Sequence, residues 1–155
     1  MLRDKVIFIA GACGRIGSAL ASELLRQNAK VILADINEAN LEKLSLNLRG
    51  EFLSLELDIT KKESLESAIN KAVRHFGKID GFVNASYPFG KDWGKVEYYE
   101  ASYEQICESL NLHLGGFILA ANAFVKFFKK QGYGNIVNLS SIMGVYAPKF
   151  ENYAG

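Results

Sequence analysis

Hydrophobic and polar positions alternate along the chain in the order expected of a parallel α/β sheet. Short apolar runs predict strands over 5–10, 30–34, 51–57, 79–84 and 135–140. Between them, apolar residues recur at helical spacing and predict helices over 15–28, 38–48, 61–76 and 102–131. Strands that alternate with helices predict an α/β fold with a three-layer, doubly wound parallel sheet.

The third helix is expected to begin at a capping box. Thr60 and Glu63 have the residue types and the spacing in which each side chain bonds the other residue's backbone N–H. The apolar residues that follow predict one buried stripe along this helix, formed by Leu65, Ile69, Ala72, Val73 and Phe76.

The first strand leads into a glycine-rich turn of the kind found at nucleotide sites. Gly11 permits backbone angles that a side chain disfavours, Gly14 leaves the main chain open to a pyrophosphate, and Gly17 lets the helix pack closely on the strand. The helix that follows directs its unpaired N–H groups to the same place. The residues predicted to bind a cofactor here are Gly11, Cys13, Gly14, Arg15, Ile16 and Gly17.

An acidic residue ends the second strand. Asp35 lies near the position where such folds bind the ribose hydroxyls, and Ile36 beside it is included in the predicted site. A glycine triplet also occurs in tight turns that hold no ligand. The preceding strand, the following helix and Asp35 together favour a dinucleotide site.

Further candidates follow the other strands. Ligands of doubly wound sheets bind outside the carboxyl ends of the strands, so residues far apart in sequence are expected in one crevice. These residues are Asp58, Asn84 and Ser140–Ser141, together with the glycine turn and Asp35.

Composition is consistent with a single domain over 1–155. The 155 residues are 49% hydrophobic and 23% charged, which suffices for one core. A net charge of +1 gives no basic footprint for nucleic acid. No apolar run is expected to span a membrane and no signal peptide is recognised, so a cytoplasmic location is expected. Cys13 and Cys107 lack metal-ligand spacing and are expected to be structural thiols, with Cys13 open to alkylation.

Three further motifs, in the right order, resemble the short-chain dehydrogenase/reductase family over essentially the whole chain. Leu57-Asp58-Ile59-Thr60 resembles the family's adenine-binding segment. Asp80-Gly-Phe-Val-Asn84-Ala85-Ser86 resembles its fourth-strand motif, and the segment 134–144 resembles the fifth strand and the catalytic serine. The resemblance implies cofactor-binding roles for Asp58, Ile59, Asn84, Ala85 and Ser86.

The motifs point to two branches of that family. The glycine spacing is closer to the extended branch that handles sugar nucleotides, whereas the other motifs fit the compact single-domain branch. A looser resemblance, carried by the glycine turn, by Ala85-Ser-Tyr-Pro88 and by the segment 141–148, is to bacterial members tied to flagellar or surface-sugar biosynthesis.

The family resemblance implies hydride transfer between a nicotinamide and the carbinol carbon of a small-molecule substrate, with a sugar derivative as one candidate. Ser141 would hydrogen-bond the substrate oxygen, and a tyrosine next to a lysine would exchange the proton. Tyr153 lies about where the family's Tyr-x-x-x-Lys begins, or it belongs to an extra loop and the catalytic tyrosine lies further on. Asp35 favours NAD, while Arg15 keeps NADP open.

Two departures from the family pattern stand out. Asn84 is followed by Ala85, Ser86 and Tyr87 where the family has a second asparagine and then small residues. Counting back from Ser141 by the family's usual spacing reaches His113 instead of the relay asparagine, while Asn111 lies two residues earlier. His113 is either the proton relay or a hydrogen-bonded helix residue.

The sequence ends before the family's last elements, so the C-terminal part of the fold is expected to be absent and the 155-residue chain alone to be inactive. The helix over 111–131 is too apolar to face water all round. It is expected to form a homo-oligomer, as a dimer or tetramer, or to pack against the remainder of the protein. Its apolar residues are Leu114, Phe117, Ile118, Ala121, Phe124, Val125 and Phe128.

Two other functions remain open. A nucleotide-binding regulator without catalysis would explain the altered segment Ala85-Ser86-Tyr87 and His113. A transferase with a nucleoside cofactor would share the glycine turn and the ribose acid, but it leaves Ser141 without a task.

Overall fold

The computed structural model describes residues 2–90, 95–96 and 98–146. Five parallel strands form one sheet in the order β3-β2-β1-β4-β5. All five predicted strands are confirmed, with slightly shorter bounds. They are β1 (Val6–Ala10), β2 (Lys30–Asp35), β3 (Phe52–Glu56), β4 (Gly81–Asn84) and β5 (Asn135–Asn138).

The predicted helices are confirmed as well, with one feature that the sequence did not indicate. The long fourth helix is continuous over Tyr103–Gln131 but contains a π-helical turn at Asn111–Gly115. Short 3₁₀ turns occur at Tyr98–Glu100 and Ile142–Gly144. The α-helices are α1 (Arg15–Arg26), α2 (Glu38–Asn47), α3 (Lys62–Phe76), α4 (Tyr103–Leu110) and α5 (Gly116–Gln131).

Helices cover both faces of the sheet. Residues of α1 and α2 share one apolar cluster with β1 and β2, and residues of α3 and α5 share another on the opposite face. In the second cluster the Phe82 and Phe124 rings stack at 3.8 Å, and Phe8 meets Phe124 edge-on at 5.0 Å. The three-layer, doubly wound arrangement is therefore confirmed.

The capping box predicted for α3 is wrong. The helix is capped at Lys61 without a side-chain hydrogen bond, and the Thr60 hydroxyl instead donates to Asp58 Oδ1 at 2.6 Å. The helix begins one residue later than the capping box requires, so Thr60 is not the cap residue and its hydroxyl makes a charge-assisted bond to the carboxylate two residues before it. Most of the predicted apolar stripe is buried, including Leu65, Ile69 and Ala72.

The expectation about membrane-spanning length also needs correction. The continuous helix Tyr103–Gln131 is long and apolar enough to cross a membrane by length and composition, with a mean hydropathy of 1.3 over an 18-residue stretch. One side of it nevertheless lies in the protein core, where Ala120, Phe124 and Phe128 are buried against the sheet. Its high hydropathy arises because apolar residues occupy the outer side too.

Asp80, the first residue of the fourth-strand motif, lies at the amino ends of the strands. Its carboxylate accepts from the Val6 N–H at 2.8 Å and lies 3.3 Å from Lys5 Nζ and 2.9 Å from Lys78 Nζ. Burial alone would raise the pKa of Asp80, but these three partners outweigh it and lower the pKa. Asp80 therefore links β1 to the start of β4, at the end of the sheet opposite the predicted crevice.

Candidate functional site

The register of the strands brings the predicted residues to one edge. Ala10 pairs with Ala34 on one side and with Asn84 on the other, and Asn84 pairs in turn with Asn138. Strand order reverses between β1 and β4, and such a switch point is where doubly wound sheets open a crevice. The glycine turn, Asp35, Asp58, Asn84 and Ser140–Ser141 all lie at or just beyond the carboxyl ends of the strands, along the edge where the sequence predicts the crevice.

Two of the three glycines are required by close backbone packing. Gly11 has φ +75°, and a Cβ there would lie 2.5 Å from Ser86 Cα. A Cβ on Gly17 would lie 2.1 Å from the Gly11 carbonyl oxygen. Gly14 differs, because it is exposed and a Cβ there would meet just that same oxygen, at 3.3 Å. Gly14 is thus the position where a missing side chain leaves the main chain accessible to a ligand.

The N-terminus of α1 faces the crevice edge without a side-chain cap. Gly14 is its cap residue, and no acid stands in its first turn. The first N–H groups of a helix lack intrahelical partners and, with the helix dipole, attract anions. Exposed Arg15 and Ile16 flank this end, and the Ile16 side chain is 63% exposed. The arrangement fits a pyrophosphate next to an apolar ring.

Asp35 is bonded to the glycine turn as well as placed for a ribose. Its Oδ2 accepts from the Cys13 N–H at 2.9 Å, and its Oδ1 accepts from the Asn37 N–H at 3.1 Å. Each carboxylate oxygen can accept a further hydrogen bond, so ribose hydroxyls still have acceptors. Ile36, next in sequence, is exposed beside it.

Cys13 is a poor nucleophile in this setting. Burial, the charge of Asp35 and a hydrogen bond to Asp35 raise the pKa of the Cys13 thiol to about 12. Because the thiolate is the reactive form, alkylation of Cys13 at neutral pH is disfavoured. The structure thus assigns Cys13 a structural contact with Asp35 that its sequence position did not reveal.

The segment after β3 is held by its own side chains. Asp58 accepts from the Thr60 N–H at 2.9 Å and lies 3.1 Å from Lys61 Nζ. Burial would raise the pKa of Asp58, but the bonds from Thr60 and Lys61 outweigh it and lower the pKa. The Ile59 side chain lies in the core. Any contact of Ile59 with a ligand would therefore come from its main chain.

The end of β4 contains a buried amide with an unused donor. Asn84 is fully buried, and its Oδ1 accepts from the N–H and the hydroxyl of Ser86. Within the described ranges, Asn84 Nδ2 has no hydrogen-bond partner. Since buried donors are nearly always paired, this atom indicates a missing acceptor at the crevice. Ala85 is fixed in place by its N–H, which donates to the Ala10 carbonyl at 2.9 Å.

Ser141 lies just beyond β5, exposed at the same edge. Its Oγ accepts from the Met143 N–H at 3.1 Å and so begins the short 3₁₀ turn Ile142–Gly144. The hydroxyl hydrogen is not used in that bond and can still be donated to a substrate oxygen. Tyr153, the other sequence candidate, lies outside the described residues.

The long helix presents His113 to the protein and Asn111 to solvent. His113 is half-buried, and burial lowers the pKa of its imidazole. Its ring centroid lies 4.5 Å from that of Tyr87, which places His113 beside the segment that follows β4. Tyr87 was not among the predicted site residues. The signal that could have identified it was its bulk at a position where the family has a small residue.

The part of the chain that the structure describes contains no group of three or more His, Cys, Asp or Glu side chains suited to a metal ion. An open apolar groove of about 400 Å³ lies on the α1 face, between Leu20, Leu24 and the β5 residue Val137. None of the predicted site residues lines this groove, so it is separate from the crevice.

Comparison with known proteins agrees with this geometry. A relative named post-translational flagellin modification protein A, from Campylobacter coli, is 69% identical over 157 aligned positions, which cover 99% of this chain and 61% of the relative. It confirms the resemblance to flagellar members. A 3-oxoacyl-(acyl-carrier-protein) reductase of Thermotoga maritima is 31% identical and is covered over 62% of its length.

A solved structure of NAD⁺-bound xylitol dehydrogenase superposes with a TM-score of 0.83 at 30% identity, covering 95% of this chain and 56% of that one. The chain thus spans about 60% of the length of the relatives that it matches. The family model described as short chain dehydrogenase matches residues 5–155. With the glycine turn, the acid after β2 and the serine after β5 at one sheet edge, the chain belongs to the short-chain dehydrogenase family.

Proposed function

We propose that this protein is an NAD-dependent oxidoreductase that moves a hydride between a nicotinamide and a secondary alcohol or ketone, with sugar derivatives among its candidate substrates. The observation that carries the proposal is the uncapped N-terminus of α1 at Gly14, next to the carboxylate of Asp35. This pair provides an anion site and a diol site in one crevice. We also propose a cytoplasmic location.

The chain's own residues would hold the cofactor as follows. The N–H groups at the start of α1 would bind the pyrophosphate, and Asp35 would accept from the adenosine ribose hydroxyls. The buried Asn84 Nδ2, which lacks a partner among the described residues, can donate to an acceptor in the crevice. When bound, a nicotinamide supplies or accepts the hydride.

The proton and the substrate oxygen require further groups. Ser141 would donate its hydroxyl hydrogen to the substrate oxygen and so stabilise the charge that develops there. The proton itself would pass to a tyrosine with a pKa lowered by a lysine, either Tyr153 or a tyrosine later in the protein. His113 would connect that tyrosine to solvent through an ordered water.

The oxidoreductase proposal is tested with the full-length protein. We expect NAD⁺ reduction with at least one member of a panel of secondary alcohols that includes sugar derivatives. Removing one oxyanion donor typically costs about 10²-fold to 10³-fold in kcat, so Ser141→Ala should lose at least about 10²-fold. Ser67→Ala, an exposed helix serine, serves as the control. Full-length protein that binds NAD⁺ but turns over no alcohol would instead favour the nucleotide-binding regulator.

Asp35 is expected to make the protein prefer NAD(H). A 2′-phosphate would face the Asp35 carboxylate, and about 1.4 kcal/mol already corresponds to a tenfold difference in affinity. Calorimetric titration should show NAD⁺ binding at least about tenfold more tightly than NADP⁺. Asp35→Asn keeps an acceptor oxygen but removes the charge, so it should reduce the difference between the NAD⁺ and NADP⁺ affinities. Asp4→Asn, at a residue with φ +61° that asparagine also tolerates, is the matched control. Tighter binding of NADP⁺ would show that Arg15 decides the preference.

His113 is expected to impose an acid limit on the reaction. The protonated imidazole cannot accept a hydrogen bond from the relay water, so kcat should fall as pH drops through the imidazole pKa. Because burial lowers that pKa, the midpoint of the fall should lie below the ordinary value of about 6.5.

Two substitutions separate the relay role from packing. His113→Asn should retain most activity and flatten the acid limb, since asparagine bonds water without titrating. His113→Leu should lose about 10²-fold in the proton-transfer step with little change in NAD⁺ affinity. A leucine variant with unchanged kcat and pH profile would assign His113 to packing alone.

We also propose that the outer side of the long helix forms a homo-oligomer. Ile106, Leu110, Leu114, Ile118 and Val125 recur at helical spacing, and each is roughly half exposed. Apolar stripes of this kind usually mark an interface. Packing against the rest of the full-length protein is the alternative.

Light scattering coupled to gel filtration distinguishes these cases. The full-length protein should be a dimer or tetramer, and Leu114→Lys should shift it towards monomer because the charge would be buried in the interface. Leu46→Lys, at a more exposed leucine on α2, should leave the mass unchanged. A Leu114→Lys variant that keeps the wild-type mass but unfolds at lower urea concentration would indicate packing within one subunit.

A further inference from the structure

The ring contact between Tyr87 and His113 joins two elements that carry the candidate site. Tyr87 is the third residue after β4, and its ring meets the imidazole edge-on, at 4.5 Å and 67°. The Tyr87 side chain is 57% exposed, so packing in the core does not explain why an aromatic residue occupies this position. What accounts for its position is the contact with His113, because the ring of Tyr87 lies beside the helix that carries that histidine.

The backbone segment that leads to Tyr87 is held by hydrogen bonds. The Ala85 N–H donates to the Ala10 carbonyl at 2.9 Å, and Ser86 donates through both its N–H and its hydroxyl to Asn84 Oδ1. The same segment lies directly against Gly11, with no room for an added Cβ. The backbone from which the Tyr87 side chain projects is therefore positioned by the sheet edge and the glycine turn.

The backbone that carries His113 is held on both sides. A capping box between Ser102 and Gln105 fixes the start of α4. After the π turn, Gly116 lies close to Ile59 and Thr60, whose side-chain atoms would be 3.3 Å from an added Cβ. Further along, Phe124 is fully buried in the core. The π turn that contains His113 is thus positioned between two fixed helical segments.

The terminal torsion of a histidine is broad, so the groups that contact the His113 ring contribute to its orientation. An edge-on aromatic neighbour at this distance favours one orientation. We propose that Tyr87 is a positioning residue that holds the His113 ring in its working orientation at the crevice. This inference rests on the proposed function, in which His113 relays the proton, and Tyr87 acts through His113 without taking part in the chemistry.

A double-mutant cycle on the full-length protein tests whether Tyr87 acts through His113. Tyr87→Leu keeps an apolar side chain without the ring and should lower kcat by up to about tenfold, with the KM for NAD⁺ unchanged. Tyr87→Phe keeps the ring and should stay within about twofold of wild type. In a His113→Ala background, Tyr87→Leu should cost nothing further. Tyr99→Ala, at another exposed tyrosine, is the control.

Nuclear magnetic resonance of the histidine ring protons gives a readout that does not depend on turnover. In the wild type and in Tyr87→Phe, the His113 ring protons should be displaced by the ring current of residue 87. In Tyr87→Leu they should move towards the position of an ordinary histidine, while those of His75 stay in place.

The results separate this inference from the proposed function. An absence of turnover in the wild type with every alcohol would remove the proposed function, and the resonance experiment would still decide whether Tyr87 holds the ring. Equal costs of Tyr87→Leu with and without His113 would show that Tyr87 acts independently and overturn the inference. Resonances of His113 that do not respond to Tyr87→Leu would overturn it as well.

Discussion

The close approach of the glycine turn to the segment after β4 is the constraint on which the crevice depends. A side chain on Gly11 would collide with the backbone of Ser86, and one on Gly17 would collide with the Gly11 carbonyl. Because glycine has no Cβ, α1 can start close to the end of β1. The first N–H groups of α1 therefore lie at the switch point of the sheet. The close approach therefore brings the start of α1 next to the segment that follows β4.

The polar residues at this edge also hold its backbone in place. Asp35 accepts from the main chain of the glycine turn, Asp58 accepts from its own turn, and Ser141 begins a 3₁₀ turn. Each retains hydrogen-bonding capacity for a ligand. A site whose groups are already fixed by protein contacts loses less free energy to ordering when it binds, which is the physical basis of preorganisation.

The long helix connects this edge to a second surface. Its inner side packs on the sheet through Phe124 and carries His113 towards Tyr87, while its outer side exposes Leu114 and similar residues. The π turn falls between the capped α4 and the buried α5. Wide helical turns of this kind are frequent at functional sites. Association through the outer side would therefore constrain the helix that presents His113.

The sequence by itself determined the elements, their order and the edge of the sheet where the candidate site residues lie. These follow from the spacing of apolar residues and from Gly11, Gly14 and Gly17, which are local properties. Only the tertiary structure decided that the Cys13 N–H bonds Asp35, and it alone placed Tyr87 against His113. The residues of each pair are far apart in sequence. Such contacts depend on which groups meet after the chain has folded, because they are set by distance in space and not by spacing along the chain.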